Sequence, residues 1–310
     1  MTELDVGVYV PQMGFGYDDV LHRALRCERL GIRSLWLYDH LYGPGAPTIP
    51  SLEAWTLATA LLSRTERLRV GHMVLCNQFR HPAVLAKMAT TLDQISGGRL
   101  EFGIGSGSIE DEHTRLGLPW GTLRERSERL GETLEILTTA FADGRIDHAG
   151  THFTVRDMPI VPGAVQRPRP PIVVGGAGEK YTLPLVARYA DVWNVPTYAL
   201  GDLERKRDAL RAHCADIGRD PDSITLSVEA VMALAPDDAS LPGVTALAEK
   251  RFGDPAFGLR EGGLVGTPVA VVDRIRHYEA LGFRQIVLFT HDRASDATLD
   301  LLASEVLPAL

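Results

Sequence analysis

The sequence predicts an α/β protein, an eight-stranded (β/α)8 TIM barrel with insertions. Six apolar runs stop abruptly at a polar or glycine-rich cluster, at residues 34–38, 70–75, 100–104, 172–174, 192–193 and 286–289. Four of the segments between these runs have helical periodicity. A doubly wound sheet would show the same alternation of strand, loop and helix. Both folds place their chemistry at the carboxyl ends of parallel strands, so the polar clusters should converge on one pocket.

The first half of the chain supplies four predicted strands, at residues 4–10, 34–38, 69–75 and 100–104. The helix between the first two has an apolar face over residues 20–30 and ends at Gly31. Ser51 is expected to cap a helix that runs to residue 62. Pro82 suits the first turn of the next helix, which ends at residue 95 before a Ser-Gly-Gly turn.

The second half supplies four more strands, at residues 172–174, 191–195, 224–232 and 285–289. Helices are predicted at residues 123–141, 181–189, 202–217, 268–281 and 295–307. Three segments interrupt the alternation and are interpreted as insertions over the barrel, at about residues 105–122, 144–171 and 236–266. The last of these is rich in glycine and proline and is expected to act as a lid. The whole chain, residues 1–310, is therefore predicted to be one domain.

Composition narrows the class of protein. A net charge of −8 without a basic block argues against nucleic acid and against an anionic membrane surface as partners. The three cysteines, Cys27, Cys76 and Cys214, are far apart and odd in number, which fits a reducing compartment. The first residues have no basic region before an apolar stretch, and no run reaches the ~20 apolar residues of a membrane span. We therefore expect a cytoplasmic protein with a small-molecule substrate.

A glycine-rich loop follows the fifth predicted strand. Gly175, Gly176, Ala177 and Gly178 lie between a buried strand and the start of a helix, where bare backbone N–H groups can converge on an anion. A tight turn that needs positive φ explains this loop equally well by itself. The segment is neither a Walker A loop nor a Rossmann fingerprint, so ATP and NAD are not indicated.

Two further strand ends are candidate sites. Residues 103–108 alternate glycine with other residues, which favours close approach of a flat ring. Glycines that only let the strand pack closely against its neighbours would give the same pattern. Asp39 and His40 end the second predicted strand. A histidine there can titrate near neutral pH, and the adjacent carboxylate can accept a hydrogen bond. The pair is common in loops, and its place at a strand end makes it a candidate.

The remaining histidines and acids are weaker candidates for a functional role. His72 lies within a predicted strand and is interpreted as a core residue. The run 110–113, Glu-Asp-Glu-His, is typical of a solvated loop, with one member able to act as an acid. His40, His291 and Asp292 would be the ligands of an alternative function, a metal-dependent barrel hydrolase. No HxH pair follows a strand and no HExxH is present, so no metal site is predicted.

With these residues in place, the chain resembles the bacterial luciferase-like monooxygenase and flavin-dependent oxidoreductase family over nearly its whole length. The likeness is strongest at residues 74–82, 92–105, 172–178 and 190–193. The segment Leu-Asp-x-x-Ser-Gly-Gly-Arg at residues 92–99, followed by a glycine-rich strand, is specific to this family. The resemblance implies an eight-stranded barrel that binds FMN or the deazaflavin F420 at its carboxyl face.

The F420-dependent branch is the closer match, because Asp39-His40 stands where FMN-using members more often have Glu-His. The resemblance implies that Asp39 binds the deazaflavin and that His40, the catalytic residue, sits over its reactive carbon. Val74 and Cys76 would line the ring, with a backbone bulge and room for a non-prolyl cis bond near Met73. The other implied cofactor-binding residues are Gly107, Ser108 and Asp111 beside the ring and ribityl chain, and Gly175, Gly176, Ala177 and Gly178 at the phosphate.

One departure bears on the substrate. The branch that oxidises sugar phosphates has a glutamate where this chain has Ser108 and a tryptophan where it has Gly43-Pro44, so a sugar-phosphate dehydrogenase is not expected. We predict an F420-dependent oxidoreductase that transfers a hydride between the deazaflavin and a small organic substrate. An FMN-dependent monooxygenase and a non-catalytic F420-binding barrel are the alternatives. Substrate identity, the direction of transfer and any proton donor beyond His40 stay open, and a homodimer is compatible with the family.

Overall fold

The computed structural model describes residues 4–310, apart from the side chain of Ala256. The strands in chain order are β1 (Asp5–Tyr9), β2 (Ser34–Leu37), β3 (Arg69–His72), β4 (Leu75–Cys76), β5 (Leu100–Gly105), β6 (Arg145–Ala149), β7 (Thr154–Pro159), β8 (Ile172–Gly175), β9 (Val192–Val195), β10 (Thr225–Leu234), β11 (Leu264–Gly266) and β12 (Phe283–Thr290). The helices are α1 (Tyr17–Arg29), α2 (Ala54–Arg64), α3 (Pro82–Ser96), α4 (Glu110–Leu116), α5 (Leu123–Asp143), α6 (Thr182–Tyr189), α7 (Leu203–Asp216), α8 (Leu241–Phe252), α9 (Leu259–Gly262), α10 (Pro268–Ala280) and α11 (Asp296–Leu301). Within residues 4–310, no helix combines the length and apolarity needed to cross a bilayer.

Eight strands form a closed parallel ring in the order β1–β2–β3–β5–β8–β9–β10–β12, and β12 pairs back with β1. The ladder places Asp5 opposite Gln285 at one junction and Thr225 opposite Val192 at another. The predicted (β/α)8 barrel is confirmed, and each of the eight predicted strands contributes to the ring. Because all eight run the same way, their carboxyl ends meet at one face of the barrel.

The predicted strand at residues 69–75 is interrupted. β3 ends at His72, a cis peptide bond joins Met73 to Val74, and β4 continues beside β5 with Leu75 opposite Ile104. The irregularity and the non-prolyl cis bond that the resemblance implied at this place are therefore confirmed.

The inside of the ring is packed with side chains. Tyr9, Trp36, Met73 and Phe289 belong to a buried apolar cluster inside the barrel. Trp36 is fully buried, and its indole N–H donates to the hydroxyl of Ser34 over 3.0 Å. Strand residues that alternate with these face the surrounding helices and form the larger core. Ligand space is therefore confined to the mouth of the barrel.

The three insertions contain more regular structure than the sequence indicated. Residues 105–122 include α4, and residues 144–171 include an antiparallel hairpin of β6 and β7. Residues 236–266 hold α8, α9 and β11. Phe252 of α8 packs on Phe289 of β12 with ring centroids 4.7 Å apart. The third insertion is therefore anchored beside the barrel mouth.

One predicted helix start needs correction. Helix α2 begins at Ala54 with Glu53 as its N-cap, whose carboxylate accepts the N–H of Thr56 at 2.7 Å. Ser51 instead shares a hydrogen bond of 2.8 Å with the hydroxyl of Tyr38, so its predicted capping role is wrong. At the other end of the chain, α11 ends at Leu301 and is followed by a π-helical segment over Leu302–Val306. The helix predicted to run to residue 307 is therefore helical over nearly its whole length.

Candidate functional site

The carboxyl ends of the ring strands surround a cavity of about 1030 Å³. This volume lies at the upper end of the range for small-molecule and cofactor sites. The walls come from the segments that follow β2, β3, β5, β8 and β9, from β10 and from the third insertion. The predicted site residues that line it are Asp39, His40, Val74, Cys76, Gly107, Ser108, Gly175, Gly176, Ala177 and Gly178. These strand-end clusters therefore converge on one pocket.

His40 is oriented by a buried carboxylate. Its Nδ1 lies 2.6 Å from Oε2 of Glu112, whose side chain is 2% exposed. Oε1 of the same carboxylate accepts the backbone N–H of Leu41 at 2.7 Å. Because a carboxylate only accepts hydrogen bonds, Nδ1 carries the ring proton and Nε2 keeps a lone pair. The His40 ring borders the cavity, so it can accept a proton from a ligand, or donate one when the ring is charged.

Asp39 is buried and receives three hydrogen bonds. Arg80 donates from both terminal nitrogens, from Nη1 to Oδ2 at 2.7 Å and from Nη2 to Oδ1 at 2.8 Å. The backbone N–H of Cys76 donates to Oδ2 at 2.8 Å. Burial raises the pKa of Asp39, and the charge of Arg80 opposes that rise. The pair ties the end of β2 to β4 and so fixes the wall that carries Cys76.

Val74 forms a close-packed apolar surface between β5 and β8. A Cβ added to Gly105 or to Gly175 would lie 2.7 Å from a methyl group of Val74. A side chain at either glycine would therefore push Val74 out of place. This contact explains the glycines at the two strand ends: they let a branched side chain lie directly on the sheet and form part of the cavity wall.

The loop at residues 175–178 forms another part of the wall. Gly176 has a φ of +128°, a conformation that favours glycine. Within the described chain, the N–H groups of Ala177 and Gly178 donate to no backbone acceptor. They lie before α6, whose N-terminus favours an anion. Lys206 of α7 reaches the same loop, with Nζ 3.4 Å from the carbonyl oxygen of Ala177. Free backbone N–H donors and the positive charge of Lys206 therefore lie together at this loop.

Asp111 is the predicted site residue that the structure places away from the cavity. Its carboxylate accepts the hydroxyl of Tyr42 at 2.6 Å and Nε of Arg115 at 2.8 Å, on the exposed side of α4. Its neighbour Glu112 lines the cavity instead, because consecutive side chains on a helix point in different directions. The structure therefore does not bring Asp111 together with the other predicted site residues, and its implied role beside the ring and ribityl chain stays a prediction.

Sequence reasoning did not single out several polar side chains at or beside this site, among them Arg80, Glu112, Lys206 and Glu229. Glu112 belongs to the acidic run 110–113, and the neighbouring residues give no sign of which acid in that run is buried. Glu229 had a usable signal, because it interrupts the apolar pattern of the strand predicted at residues 224–232. Burial raises the pKa of Glu229 to about 8. A carboxyl group in a strand that is otherwise buried is unusual enough to be singled out.

His40, His291 and Asp292, the ligands of the alternative metal site, are not grouped together in the described structure. His72 is fully buried and stacks on Trp55 with ring centroids 5.2 Å apart, which confirms its assignment to the core. Burial lowers the pKa of His72 to about 4. His291 and Asp292 do not line the cavity, and Asp292 accepts the hydroxyl of Thr298 at 2.7 Å. Among residues 4–310, no three His, Cys, Asp or Glu side chains are grouped to hold a metal ion.

Comparison with known proteins gives a consistent result. The family model described as luciferase-like monooxygenase matches residues 1–242. The F420-dependent glucose-6-phosphate dehydrogenase of Microbacterium testaceum is 29% identical over 327 residues, which cover 96% of this chain and 94% of the relative. An F420-dependent secondary alcohol dehydrogenase solved with an F420-acetone adduct superposes with a TM-score of 0.85 at 19% identity, over 99% of both chains. A monooxygenase from Streptomyces bottropensis superposes with a TM-score of 0.80 at 22% identity, over 98% of this chain and 99% of the other.

Proposed function

Because the chain belongs to the luciferase-like monooxygenase family, we propose that its cavity binds the deazaflavin F420 and that it works as an F420-dependent oxidoreductase. The cofactor, when bound, exchanges a hydride at C5 of its ring with a small organic substrate beneath the third insertion. The residues of the protein orient the two partners, exclude water and handle the proton that accompanies the hydride.

One arrangement carries this proposal. Gly175 belongs both to the close-packed surface under Val74 and to the loop at residues 175–178, so a place for a planar ring continues directly into a place for an anion. The N–H groups of Ala177 and Gly178 and the ammonium of Lys206 suit a phosphate. His40 lines the same cavity. The residues present therefore fit a flat ring with an anionic tail.

His40 is assigned the proton that accompanies hydride transfer. Glu112 keeps Nδ1 protonated, which leaves Nε2 to accept a proton when the substrate is oxidised. The same carboxylate stabilises the imidazolium that forms. In the opposite direction, the charged ring returns the proton. Both roles depend on the position of His40 in the cavity and on its contact with Glu112.

The substrate is proposed not to be a sugar phosphate, although the Microbacterium testaceum relative is named for one. Ser108 lines the cavity where the sugar-phosphate branch has a glutamate. Lys206 is the one Lys or Arg among the described residues that line the cavity, and the cofactor phosphate would occupy it. A second phosphate would meet the carboxyl groups of the cavity without a cation to balance it.

Titration with cofactors tests the proposal against its main alternative, an FMN-dependent monooxygenase. We expect F420 fluorescence to be quenched with a dissociation constant in the micromolar range or below, and FMN to bind poorly. Gly175→Ala should weaken F420 binding about tenfold or more, because the added Cβ displaces Val74. Gly163→Ala is the matched control, since a Cβ at Gly163 meets no atom within 4 Å.

Two results of this titration would contradict the proposal. Tighter binding of FMN than of F420 would favour the monooxygenase. Equal F420 binding by Gly175→Ala and by the unmodified protein would remove the surface under Val74 from the site. The non-catalytic F420-binding barrel predicts tight binding without hydride exchange for every member of a substrate panel. By analogy with the family we also propose a cytoplasmic homodimer, which light scattering of the purified protein and fractionation of cells test.

A further inference from the structure

Glu229 lies in the middle of β10 and lines the same cavity as His40. Its strand neighbours Val228 and Ala230 belong to the larger core between the ring and the helices. Because side chains alternate along a strand, Glu229 points to the inside of the barrel. It stands opposite Val287 of β12 in the ladder. A carboxyl group is therefore built into the wall of the cavity on a rigid strand.

The groups around Glu229 are uncharged. Tyr9 of β1 and Tyr198 beyond β9 lie close enough for the charge of Glu229 to add to the rise in their pKa values that burial causes. Tyr38, which follows β2, acts on Tyr9 in the same way. The adjacent strand β9 contributes Asn194, whose amide donates to Ser227 at 3.0 Å, and β12 contributes Val287. In the described part of the chain, Glu229 has no ion pair with a Lys, Arg or His.

The other carboxyl groups that line the cavity have different positions or partners. Both oxygens of Asp39 are bound to Arg80, and both oxygens of Glu112 are used by His40 and Leu41. Both carboxylates are therefore held by donors of the protein itself.

Two lining acids remain besides Glu229. Asp202 accepts Nε of Arg205 at 2.9 Å on the exposed rim. Glu261 lies in the short helix α9 and is exposed. Among the described residues, Glu229 is thus the lining carboxyl that is partly buried in the barrel and has no cation beside it.

We propose that Glu229 is a second catalytic acid and base of the F420-dependent reaction, and that it hydrogen bonds to the oxygen of an uncharged carbonyl compound or of the corresponding alcohol. This inference rests on the proposed function. It identifies the proton donor that the sequence left open, since Ser108 replaces the glutamate of the sugar-phosphate branch.

The proton balance is simple. In reduction, the carbonyl carbon accepts the hydride supplied by the cofactor, the π electron pair moves to oxygen, and that oxygen takes the proton of Glu229. Water then reprotonates the carboxylate. In oxidation, the carboxylate takes the hydroxyl proton as the hydride leaves carbon. His40 follows the end of β2 and Glu229 lies within β10, and both line the cavity, so both can take part in the proton exchange that accompanies the hydride.

The charge of the cavity supports an uncharged substrate. With Lys206 assigned to the cofactor phosphate, the described lining offers no further Lys or Arg. A substrate carboxylate or phosphate would lie beside Glu229 without a counter-ion, which raises the free energy of binding. A neutral carbonyl oxygen can instead accept the hydrogen bond of a protonated carboxyl.

The first test needs neither cofactor nor substrate. Burial raises the pKa of Glu229 from 4.5 to about 8, so the folded protein keeps a proton that the unfolded chain has lost over this range. The folded state then binds more protons, and its stability falls as pH rises from 4.5 to about 8. The Glu229→Gln variant cannot bind this proton, so its stability lacks this dependence on pH. We expect the melting temperature of the unmodified protein to fall by several degrees relative to that of Glu229→Gln over this range.

The control for this test is Glu135→Gln, which removes an exposed glutamate on the outer helix α5. Its difference in melting temperature from the unmodified protein should not change with pH. A Glu229→Gln difference that is also independent of pH overturns the proposal, because the cavity would then not hold the proton.

The second test measures hydride transfer in the F420-loaded protein. Acetone, cyclohexanone and 2-cyclohexen-1-one serve as acceptors for reduced F420, in single turnovers. We expect Glu229→Gln to lower the rate about 10²- to 10⁴-fold while F420 affinity stays within about threefold, and Glu229→Asp to restore part of the rate. The reducing rate should fall above about pH 8 in the unmodified protein, and that inflection should be absent in Glu229→Gln.

The outcomes separate this inference from the proposed function. Failure of F420 to bind overturns the proposed function and leaves the melting test of Glu229 intact. F420 binding with equal rates for Glu229→Gln and the unmodified protein overturns the role of Glu229 alone. Failure of all three carbonyl compounds to oxidise bound, reduced F420 overturns the substrate class. Glu229→Asp keeps the acid, so the rate comparison stands even where Glu229→Gln folds poorly.

Discussion

On one side of the cavity, which we call the paired side, the polar side chains are bonded to one another. Its members are Asp39 and His40 from the segment after β2, Arg80 from the segment between β4 and α3, and Glu112 from α4. Arg80 neutralises Asp39, and Glu112 accepts the ring N–H of His40. These hydrogen bonds hold the side chains of the paired side in place.

On the opposite side, the open side, polar groups are left for a ligand. It consists of the loop at residues 175–178, Lys206 and Glu229. The loop offers N–H groups, Lys206 contacts one carbonyl oxygen at 3.4 Å, and Glu229 has no cation beside it among residues 4–310. The contrast fits the proposed roles, in which the paired side would orient His40 and the open side would bind cofactor and substrate.

The largest effect is expected where a buried charge loses its partner on the paired side. Arg80→Met leaves Asp39 buried without a cation, and breaking a buried ion pair in this way costs about 3–5 kcal/mol. Urea unfolding should show this loss in the free energy of unfolding. Arg124→Met is the matched control, because Arg124 pairs with Glu128 on the exposed surface of α5 and should have no measurable effect. Equal midpoints for the two variants would mean that the paired side is not held by its charges.

A smaller effect is expected when the orienting carboxylate changes. Glu112→Gln keeps the shape of the side chain but cannot accept both the Nδ1–H of His40 and the N–H of Leu41 in the same way. We expect hydride transfer to slow about 10- to 100-fold, less than for His40→Ala, with F420 affinity nearly unchanged. Stopped-flow single turnovers measure this rate. Glu110→Gln, an exposed neighbour on α4, should match the unmodified protein. A Glu112→Gln rate equal to that of Glu110→Gln would remove Glu112 from the positioning of His40.

The smallest effect is expected on the open side at Lys206. Lys206→Met should weaken F420 binding about tenfold, as loss of one charged hydrogen bond does, and the difference should shrink at high salt. Fluorescence quenching measures it, with the deazaflavin that lacks the phosphate as the comparison ligand. That ligand should bind Lys206→Met and the unmodified protein equally. Lys250→Met, on the exposed face of α8, serves as the control. An equal loss for both ligands would place Lys206 at the ring and not at the phosphate.

Sequence reasoning was most successful where the signal is local. His40 and Gly175 were predicted to lie near each other because each follows an apolar run, and parallel strands align their carboxyl ends. It failed where orientation within an element decides the outcome. Asp111 and Glu112 are adjacent on α4, yet the former is exposed and the latter is buried against His40. The run of acids contains both and does not distinguish them.

The pattern of apolar runs, strand-end clusters and glycines is enough to predict the barrel, the face that carries the site and its glycine-rich walls, because each of these depends on residues a few positions apart. The pairing of Asp39 with Arg80 and of His40 with Glu112 joins positions 41 and 72 residues apart, so it appears only when the ring closes. Glu229 is the clearest case. Its place in a strand is visible locally, but its raised pKa and lack of a cation depend on what the other strands bring to the same cavity, and burial in the folded barrel decides that.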